Sequence, residues 1–499
     1  MNQKPKIDFE QLKRGGVVKL KEKDMFSVWV RAVCCNMDAR KLKMVADIAE
    51  EFGRGIVLFT TRQFPIIPHI HFKDLETVRE KLKEVNLMLD RCGARVRSAD
   101  VCYDANICPH AVTNPITLGE KIDQYWRDDP GGHKIKISIV GCSKQCTSPR
   151  VLSDLGFVGT EQGYAAYLGG RLGLKPFIGI KVAEKLSEDQ CVKLIDNFFV
   201  FLRREGKEGE RSADLINRLG IEKVKAEINK DLSAAVGTKP YICDTKLGEK
   251  VGTNKVILRV RATCGEVTSS QTRKVADLSE KYGLGFVHFS VRGTPEIPGV
   301  SKENVPAIAH ELAGVGLELL DKGTDNLQSC FGSYCTNGIV DAQGLLRKVE
   351  KIIQKLGINN LNLKIAASGC PNNCAVSLIS DIGFWGVIEP IVNLDKCTGC
   401  AICVSACKVN AIEIRDKKAV IDPNKCKGCM DCILACPFDA IVGGKRGFAV
   451  SIGGRGGFSP SDSREGETKL GQVIAEFVSE EEALQITEGR LKKFKEEGL

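Results

Sequence analysis

The sequence has few aromatic residues and no long hydrophobic run. Aromatic residues make up 6% of its 499 residues, and no run of Lys and Arg is interleaved with them, as nucleic-acid binding favours. No apolar stretch approaches the roughly 20 residues that span a bilayer. The start, MNQKPKIDFEQLKRGG, has neither the apolar core nor the small-residue cleavage site of a signal peptide. We therefore expect a cytoplasmic protein that binds neither membrane nor nucleic acid.

The remaining composition is that of a globular protein. Hydrophobic residues make up 43% of the chain and charged residues 27%, which is ordinary for a soluble fold. The length predicts about two to four domains. The net charge of +9 suits a protein that binds an anionic cofactor or small anions.

Cysteine is the residue that the sequence has in excess. A cytosolic chain with 22 cysteines indicates metal ligation rather than disulfides. Sixteen fall in spaced clusters, and we expect the other six to be small buried hydrophobes: Cys34, Cys35, Cys92, Cys191, Cys243 and Cys264. The six histidines show no ligand spacing, so none is predicted to be an axial ligand.

The chain contains an internal duplication. VWVRAVCCN (28–36) matches LRVRATCGE (258–266), and the segment 40–68 matches 272–298, which aligns Arg31 with Arg261 and Arg62 with Arg292 at an offset of 230. SDLGFVG (153–159) matches SDIGFWG (380–386) at an offset of 227, and GYAAYLGGRLG (163–173) matches GFAVSIGGRGG (447–457) at 284. The difference, 284 − 227 = 57 residues, places an insertion between Gly386 and Gly447.

Hydrophobic periodicity predicts a mixed α/β (α+β) fold in each repeat. VWVRAV and IVLFTT read as strands, Leu42, Val45, Ala46 and Ala49 share one helical face, and 75–89 reads as an amphipathic helix. The turn-rich stretch 232–250 indicates the boundary between repeats. We predict a first repeat at 1–240, a second at 241–386 and 447–499, and an inserted module at 387–446.

The inserted module has the cysteine spacing of a bacterial two-cluster ferredoxin. Cys397-x2-Cys400-x2-Cys403-x3-Cys407 is followed by Cys426-x2-Cys429-x2-Cys432-x3-Cys436-Pro437. In this pattern the fourth cysteine of each run ligates the other [4Fe–4S] cluster. Cluster one should therefore use Cys436 and cluster two Cys407. Lys408 stands where a proline usually follows, and we expect no loss of ligation. Structural zinc is the weaker alternative, since it needs no such phased order.

Each repeat carries a further cysteine quartet with a different spacing. The first is Cys102, Cys108, Cys142 and Cys146, and the second is Cys330, Cys335, Cys370 and Cys374. Two pairs from distant turns can close around one [4Fe–4S] cube, and Gly141 and Gly369 let the backbone approach it. The shorter Cys330–Cys335 spacing is interpreted as a shortened loop. A plain electron-transfer cluster or a structural metal remains an alternative.

The chain resembles the siroheme sulfite and nitrite reductase family over nearly its whole length. The resemblance is carried by the cysteine quartets, TTRQ at 60–63, Lys134-x-Lys136 and the two GG-rich segments. The insert resembles that of dissimilatory sulfite reductases, in which two homologous subunits each carry one repeat. The resemblance implies one or two sirohemes and about four [4Fe–4S] clusters, with Cys374 or Cys146 bridging cluster and haem iron.

The resemblance also implies roles for the basic residues. Arg31, Arg62, Lys134 and Lys136 match the family's substrate-binding set, whereas repeat two has Asn362 in place of Lys134 and SVRG in place of TTRQ. In the family the cations of one repeat face the cluster of the other, so the working site would pair repeat one's cations with repeat two's quartet. Guanidinium and ammonium groups suit the porphinoid carboxylates, and the candidates are Arg261, Arg292, Lys364, Arg150, Arg171 and Arg455.

The expected function is six-electron reduction of sulfite to sulfide, with electrons entering through the inserted ferredoxin domain from an external donor protein. Two alternatives remain: nitrite reduction to ammonia on the same scaffold, and a haem-free iron–sulfur electron-transfer subunit. The lysine pair and the type of insert favour sulfite. The expected partners are the small anionic substrate, the external donor protein and, in a homo-oligomer, further copies of the chain.

Overall fold

The computed structural model describes residues 8–127, 129, 132–234, 254–320, 327–358, 363–457 and 468–497. The strands are β1 Val17–Lys19, β2 Met25–Trp29, β3 Asn36–Asp38, β4 Ile56–Phe59, β5 Pro65–His71, β6 Asp100–Val101, β7 Ile137–Val140, β8 Leu155–Thr160, β9 Gly163–Leu168, β10 Ile180–Leu186, β11 Lys255–Arg259, β12 Glu266–Thr268, β13 Phe286–Phe289, β14 Pro295–Ser301, β15 Gln328–Ser329, β16 Ile365–Ser368, β17 Ile382–Val392, β18 Ile412–Arg415, β19 Lys418–Ile421, β20 Ile441–Ile452 and β21 Gln472–Val478.

The helices alternate with these strands. They are α1 Phe9–Arg14, α2 Ala39–Phe52, α3 Leu75–Glu84, α4 Pro115–Trp126, α5 Pro149–Leu152, α6 Glu188–Glu205, α7 Ser212–Leu219, α8 Ile221–Ile228, α9 Ser269–Tyr282, α10 Val305–Ala313, α11 Ala342–Leu356, α12 Ile402–Ala406, α13 Asp431–Ala435 and α14 Glu480–Glu497. None of the described helices combines the length and apolar character needed to cross a membrane.

The chain divides into two compact units. The first comprises residues 1–171, 177–321 and 456–468, and the second comprises 172–176, 322–455 and 469–499. The first unit therefore contains repeat one together with the strands and helices of repeat two up to residue 321. The domain limits read from the sequence describe the duplication and remain a prediction, and most of the predicted boundary segment 232–250 lies outside the described residues.

Two small sheets in the first unit exchange a strand between the repeats. One sheet has the order β1-β2-β5-β4-β12 and the other β11-β14-β13-β3. β12 of repeat two pairs with β4 of repeat one, and β3 of repeat one pairs with β13 of repeat two. Each half-sheet is therefore completed by the other repeat.

Helices α2 and α9 confirm the duplication by their reciprocal ion pairs. Lys43 contacts Asp277 at 2.7 Å and Glu280 at 2.6 Å. Its counterpart Arg273 contacts Asp47 at 2.8 Å and also pairs with Glu50. The rings of Phe59 and Phe289 stack with centroids 5.1 Å apart. Every one of these pairs obeys the offset of 230 residues, as local two-fold symmetry requires.

The third sheet of the first unit has the order β10-β9-β8-β7-β6. β6, β7 and β8 run parallel, and β9 and β10 return antiparallel. Helices α4 and α6 pack on it around a core that includes Phe157, Phe198 and Phe199. Parallel strands carry near-continuous apolar runs, and all four residues of β7 are buried.

The second unit repeats this arrangement and carries the inserted module. Its sheet has the order β15-β16-β17-β20-β21. β17 and β20 pair from Ile382↔Ile452 to Val392↔Ile441, so the 387–446 segment leaves and returns on one long antiparallel ribbon. β18 and β19 form a separate hairpin in that segment.

Two predicted elements end earlier than the sequence pattern suggests. The predicted helix 75–89 ends at Glu84, because Asn86 takes a left-handed φ of 54° and Leu89 bridges to Val30. The strand predicted over VWVRAV ends at Trp29, and Val33–Cys35 forms a short 3-10 turn with Cys34 at φ 51°. Helix α2 confirms the predicted face, since Leu42, Val45, Ala46 and Ala49 are all buried.

Candidate active site and iron–sulfur centres

Two buried arginines of repeat one follow strands β2 and β4 of the first half-sheet, which lie on either side of β5. Arg31 is 5% exposed and Arg62 is 9% exposed. The turn that presents Arg62 is closed by its own N–H, which donates to Thr60 Oγ1 at 3.2 Å. Gln63 next to it has a φ of 55°, which is unusual for a residue other than glycine. Repeat two builds the same turn, with Gly293 at φ 67° after Arg292.

Three aspartates surround these arginines, and the sequence reasoning missed them. Arg31 contacts Asp90 at 3.4 Å and pairs with Asp123. Arg62 lies 3.6 Å from Asp90 and 4.0 Å from Asp100. All three carboxylates are buried, so each of these charges is compensated inside the protein, as burial requires.

Arg62 retains unused hydrogen-bonding capacity. Its three guanidinium nitrogens are buried and have no hydrogen-bond partner in the described part of the chain, although the two carboxylates lie within ion-pair distance. Its guanidinium also lies 5.3 Å from the ring of Phe64. A buried guanidinium with five N–H donors and no hydrogen bond can bind a small anion.

The lysine pair lies at the start of β7. The Lys136 N–H donates to Asp154 Oδ2 at 2.9 Å, and its counterpart Lys364 donates to Asp381 at 2.8 Å. Burial lowers the pKa of Lys136 to about 8, and the nearby charge of Arg62 acts in the same direction while Asp100 opposes it. Lys134 is exposed. Asn362, predicted to replace Lys134 in repeat two, lies outside the described residues.

The arginine of repeat two has a different partner. Arg261 Nε lies 2.5 Å from Glu318, whose side chain is 69% exposed. A pair with an exposed carboxylate is a weak surface interaction. Among the described contacts, Arg31 thus pairs with buried carboxylates and Arg261 with an exposed one.

The first cysteine quartet lies at the ends of β6 and β7. The Gly141 N–H donates to Cys102 Sγ at 3.1 Å. Burial and the charges of Cys146, Cys108 and Cys142 raise the pKa of Cys102, so all four thiols lie within electrostatic range of one another. Cys142 is buried, whereas part of Cys146 is exposed to solvent. The protein around the Cys146 thiol nevertheless desolvates it and raises its pKa to about 11. A thiol that is surrounded by protein yet accessible lies in the wall of a concavity.

The second quartet repeats this geometry in the second unit. The Gly369 N–H donates to Cys330 Sγ at 3.2 Å, Cys370 is buried and Cys374 is exposed. Cys108 and Cys335 each end a turn that is closed by a hydrogen bond from the cysteine N–H to the carbonyl oxygen four residues earlier, Asp104 O and Phe331 O respectively. Repeat one has one more residue than repeat two between the first two cysteines of its quartet. The extra residue precedes this turn and is Tyr103.

The thiol arrangement fits a cluster better than a single ion. A zinc ion holds its sulfurs at about 2.3 Å, and among the described residues no three Cys, His, Asp or Glu side chains converge in this way. A cubane binds its cysteines at separate corners. Four thiols in electrostatic range with a glycine N–H directed at one sulfur are suited to a [4Fe–4S] cluster, and the accessible Cys146 and Cys374 are the thiols placed to contact a further group.

The inserted module brings its eight cysteines together in two groups of four. Cys397, Cys400, Cys403 and Cys436 line one cavity. Burial raises the pKa of Cys432 to about 12, and the charges of Cys429, Cys426 and Cys407 add to this. The Ala411 N–H donates to Cys407 at 3.2 Å and the Ala440 N–H to Cys436 at 3.3 Å. Lys408, which stands where a proline was expected, pairs with Asp431 at 2.7 Å. The N–H to sulfur hydrogen bond that follows Cys407 has the same spacing as the one that follows Cys436.

Cluster two of the module packs against the second quartet. Ile339, Cys370 and Ile388 form a hydrophobic cluster, and Met430 and Ile433 pack against it. Met430 and Ile433 are sequence neighbours of Cys429 and Cys432, which are predicted to bind cluster two. The Ile388 N–H also donates to Gly428 O at 3.1 Å. The module is thus attached to repeat two through the loop that carries cluster two.

The repeat-one quartet meets residues of repeat two within the first unit. The charges of Arg259 and Glu296 act on the thiol of Cys146. The Tyr103 ring lies 4.2 Å from that of His288, and Glu296 forms an ion pair with Arg259 at 3.2 Å. One repeat's half-sheet therefore borders the other repeat's cysteines here.

Arg150, Arg171 and Arg455, predicted to bind carboxylates of the cofactor, lie in three different environments. Arg150 lies over the ring of Tyr167 at 5.0 Å, and its buried Nε has no hydrogen-bond partner in the described residues. Arg171 pairs with Asp214 at 2.6 Å. Arg455 forms a backbone bridge with Lys469. Arg150 is thus the one best placed among these three to bind a carboxylate.

The stretch RCGARVR, residues 91–97, was also missed. Arg97 is 5% exposed and donates to Gly93 O at 3.3 Å, while its Nε has no hydrogen-bond partner among the described residues. Three arginines in seven residues before β6 are the signal that could have identified it. The scattered cysteines are buried as predicted at Cys34, Cys35, Cys92, Cys191 and Cys264, and Cys243 lies outside the described residues.

Two domain families match the chain, each of them twice. The nitrite and sulphite reductase 4Fe-4S domain matches residues 92–236 and 321–499. The nitrite/sulfite reductase ferredoxin-like half domain matches 18–85 and 249–315. These matches cover well over half of the chain, so the chain belongs to the nitrite and sulphite reductase family. It has the duplicated fold of that family, and its cofactors are siroheme and [4Fe–4S] clusters.

Individual proteins match at modest identity. The chain is 35% identical over 162 residues to the coenzyme F420-dependent sulfite reductase of Methanocaldococcus jannaschii, which covers 32% of this chain and 26% of that protein. It is 28% identical over 186 residues to one of the subunits of the anaerobic sulfite reductase of Salmonella typhimurium, which covers 33% of this chain and 54% of that protein. These matches thus span only about a quarter to a half of those proteins.

A solved structure shares the fold over almost the whole chain. The NirA protein of Mycobacterium tuberculosis superimposes with a TM-score of 0.72 at 18% identity, covering 97% of this chain and 86% of that one. At this identity the likeness establishes the fold.

Proposed function

We propose that this protein reduces sulfite to sulfide in a six-electron reaction. The observation that carries the proposal is the buried cationic site of repeat one, in which the Arg62 guanidinium has no hydrogen-bond partner among the described residues and its charge acts on Lys136. Siroheme next to a [4Fe–4S] cluster, when bound, supplies the iron and the electrons of this chemistry. The residues of the chain must then bind the anion and provide protons.

The cations of repeat one would perform both tasks. Arg62 would bind the oxyanion through its guanidinium N–H donors, and Arg31, held by Asp90 and Asp123, would add positive charge. Lys136, with a pKa of about 8, is protonated at neutral pH yet releases its proton readily, as a general acid requires. Lys134 would attract the anion from its exposed position.

Electrons would enter through the inserted module in a fixed direction. Cys400 of cluster one is exposed, while its partners in the module are half-buried or buried. Ile402 and Phe438, beside cluster one, are 44% and 48% exposed, which suits contact with a donor protein. Met430 and Ile433, from the loop predicted to hold cluster two, pack against the hydrophobic cluster that contains Cys370, so cluster two would pass electrons on to the second quartet.

A spectrum tests the proposal first. Protein purified anaerobically should show siroheme absorbance in the red and yield a metalloporphinoid in acid acetone, with iron for about four clusters. Sulfite should shift the visible spectrum, and reduced donor should turn sulfite over faster than nitrite. A spectrum of iron–sulfur clusters alone would refute the proposal and leave an electron-transfer subunit.

Nitrite reduction is the second candidate, because the matching family models name both activities. The lysine pair favours sulfite, since the more highly charged anion benefits more from a second cation. A higher kcat/KM for nitrite than for sulfite would decide in favour of nitrite.

A further inference from the structure

Asp100 is a buried carboxylate in the middle of the cationic site. It is 3% exposed, and its Oδ2 lies 4.0 Å from Arg62. Asp100 pairs with Ser138 across the parallel strands β6 and β7. Because side chains two residues apart on a strand share a face, Lys136 lies on the same face as Ser138 and Asp100.

Repeat two lacks this carboxylate at the same place in the fold. β15 pairs with β16 in the same register, Gln328 opposite Ala366, so Gln328 takes the position of Asp100. Asp90 is likewise replaced by Leu320 at the offset of 230. The carboxylates thus belong to the repeat that retains the full set of anion-binding cations.

Building a carboxylate into an anion site has a cost, because it repels the ligand. It also offsets the mutual repulsion of cations that burial forces together. Lys136 is faced by Arg62 from the turn after β4, by Arg97 from the segment before β6 and by Arg211 from the start of α7, and only Asp100 among its main neighbours opposes them. Asp154 accepts from the Lys136 backbone N–H and is already paired with Arg211.

We propose that Asp100 is a positioning residue of the anion site: it holds the Arg62 guanidinium and keeps the Lys136 side chain protonated beside the bound oxyanion. The inference rests on the proposed function for the identity of the anion, but the coupling of Asp100 to Lys136 does not. Asp100 would act through Arg62 and Lys136 rather than by its own contact with the anion.

The proton step that Asp100 supports is simple. An Nζ–H bond of Lys136 breaks and an O–H bond forms on an oxygen of the bound anion, and the electron pair of the broken bond stays on Nζ. The neutral amine then takes a proton from water. No oxidation accompanies this transfer, since the electrons arrive separately from the reduced donor through the clusters. Burial raises the pKa of Asp100, whereas the charges of Arg62 and Lys136 lower it. In its ionised form Asp100 favours the ammonium form of Lys136 before each transfer.

The test measures Lys136 directly in the cofactor-loaded protein. Trace labelling with acetic anhydride, read by peptide mass spectrometry, follows the neutral amine at each pH. An opposite charge nearby shifts a pKa by about 1 or more, so Asp100→Asn should lower the pKa of Lys136 from about 8 to about 7. Labelling of Lys136 at pH 7 should then rise about five-fold. Asp123→Asn, in the same network but paired with Arg31, is the matched control and should leave Lys136 labelling unchanged.

The outcomes separate this inference from the proposed function. If Asp100→Asn labels Lys136 within two-fold of wild type, or if Asp123→Asn changes it equally, the inference is wrong. In the supporting case the alkaline limb of kcat also moves about 1 pH unit lower, while KM rises less than kcat falls. If wild type neither binds nor reduces sulfite or nitrite, the proposed function fails while the labelling result still stands. Asp100→Gln, the residue of repeat two, replaces Asp100→Asn should the latter not fold, with the same expectations.

Discussion

Replacing Lys136 with methionine should make the protein more stable at neutral pH and much less active. The folded-state pKa is about 8 against an ordinary 10.5, so the folded protein holds the ammonium at a cost of up to about 3.4 kcal/mol at 1.36 kcal/mol per pKa unit. Since Lys136 is only half-buried, solvent screening reduces this to about 1–3 kcal/mol. Methionine keeps the length and removes the charge.

The stabilisation by Lys136→Met should depend on pH, because the folded and unfolded states release the Lys136 proton at different pH values. Below pH 8 the folded and unfolded states both bind the proton, and the full penalty applies. Between pH 8 and 10.5 the folded state has released the proton that the unfolded state still holds, so stability rises with pH. Above 10.5 the penalty is gone. The stabilisation by Lys136→Met should therefore be largest below pH 8 and should fade as the pH rises towards 10.5.

The assay compares thermal midpoints of the cofactor-loaded proteins across this pH range. Lys134→Met is the control, because an exposed substitution changes stability by less than about 0.5 kcal/mol. Turnover of sulfite should fall about 10²–10⁴-fold in Lys136→Met, the usual contribution of a general acid. The reasoning would be refuted if Lys136→Met were less stable than wild type at pH 7. It would also be refuted if the difference in thermal midpoint between the two proteins were the same at every pH.

Three further results are expected. Lys134→Ala should reduce sulfite turnover far more than Asn362→Ala, and equal losses in steady-state assays would remove the functional asymmetry between the repeats. Ile433→Ala should slow reoxidation of the module's clusters by sulfite several-fold in stopped-flow measurements, because it loosens the contact with Cys370, whereas Ile402→Ala should not. Removing iron with a chelator should lower the thermal midpoint sharply, since metal-binding energy is folding energy in such modules; an unchanged midpoint would show that the clusters are not structural.

The duplication followed from spacing, because repeats leave fixed distances in a sequence. The inserted module and the assignment of its cysteines to two clusters rest on the same kind of signal and stay predictions. The three aspartates did not. Asp90, Asp100 and Asp123 lie 10 to 33 residues apart and come together only when β6 and α4 pack beside the arginine turns. A single carboxylate in a charged chain carries no pattern that separates it from a surface residue.

Strand ends were predicted poorly for a related reason. Val30 to Val33 continue the alternation of β2, but the backbone turns away at Ala32 and reaches a left-handed φ at Cys34. The exchange of β3 and β12 between repeats was also not predicted, because a three-residue strand has too little periodicity to show its partner. In both cases contacts distant in sequence override the local pattern.

The strand exchange makes the two repeats obligate partners in assembly. Without β12, strand β4 would have an open edge, and without β3 the same holds for β13. Open edges of this kind promote association with any available strand. A chain cut at the repeat boundary should therefore yield halves that aggregate when made alone and recover when made together. Fusion into one polypeptide keeps each half-sheet supplied with its missing strand at high effective concentration, so fidelity of pairing no longer depends on how much of each half the cell makes.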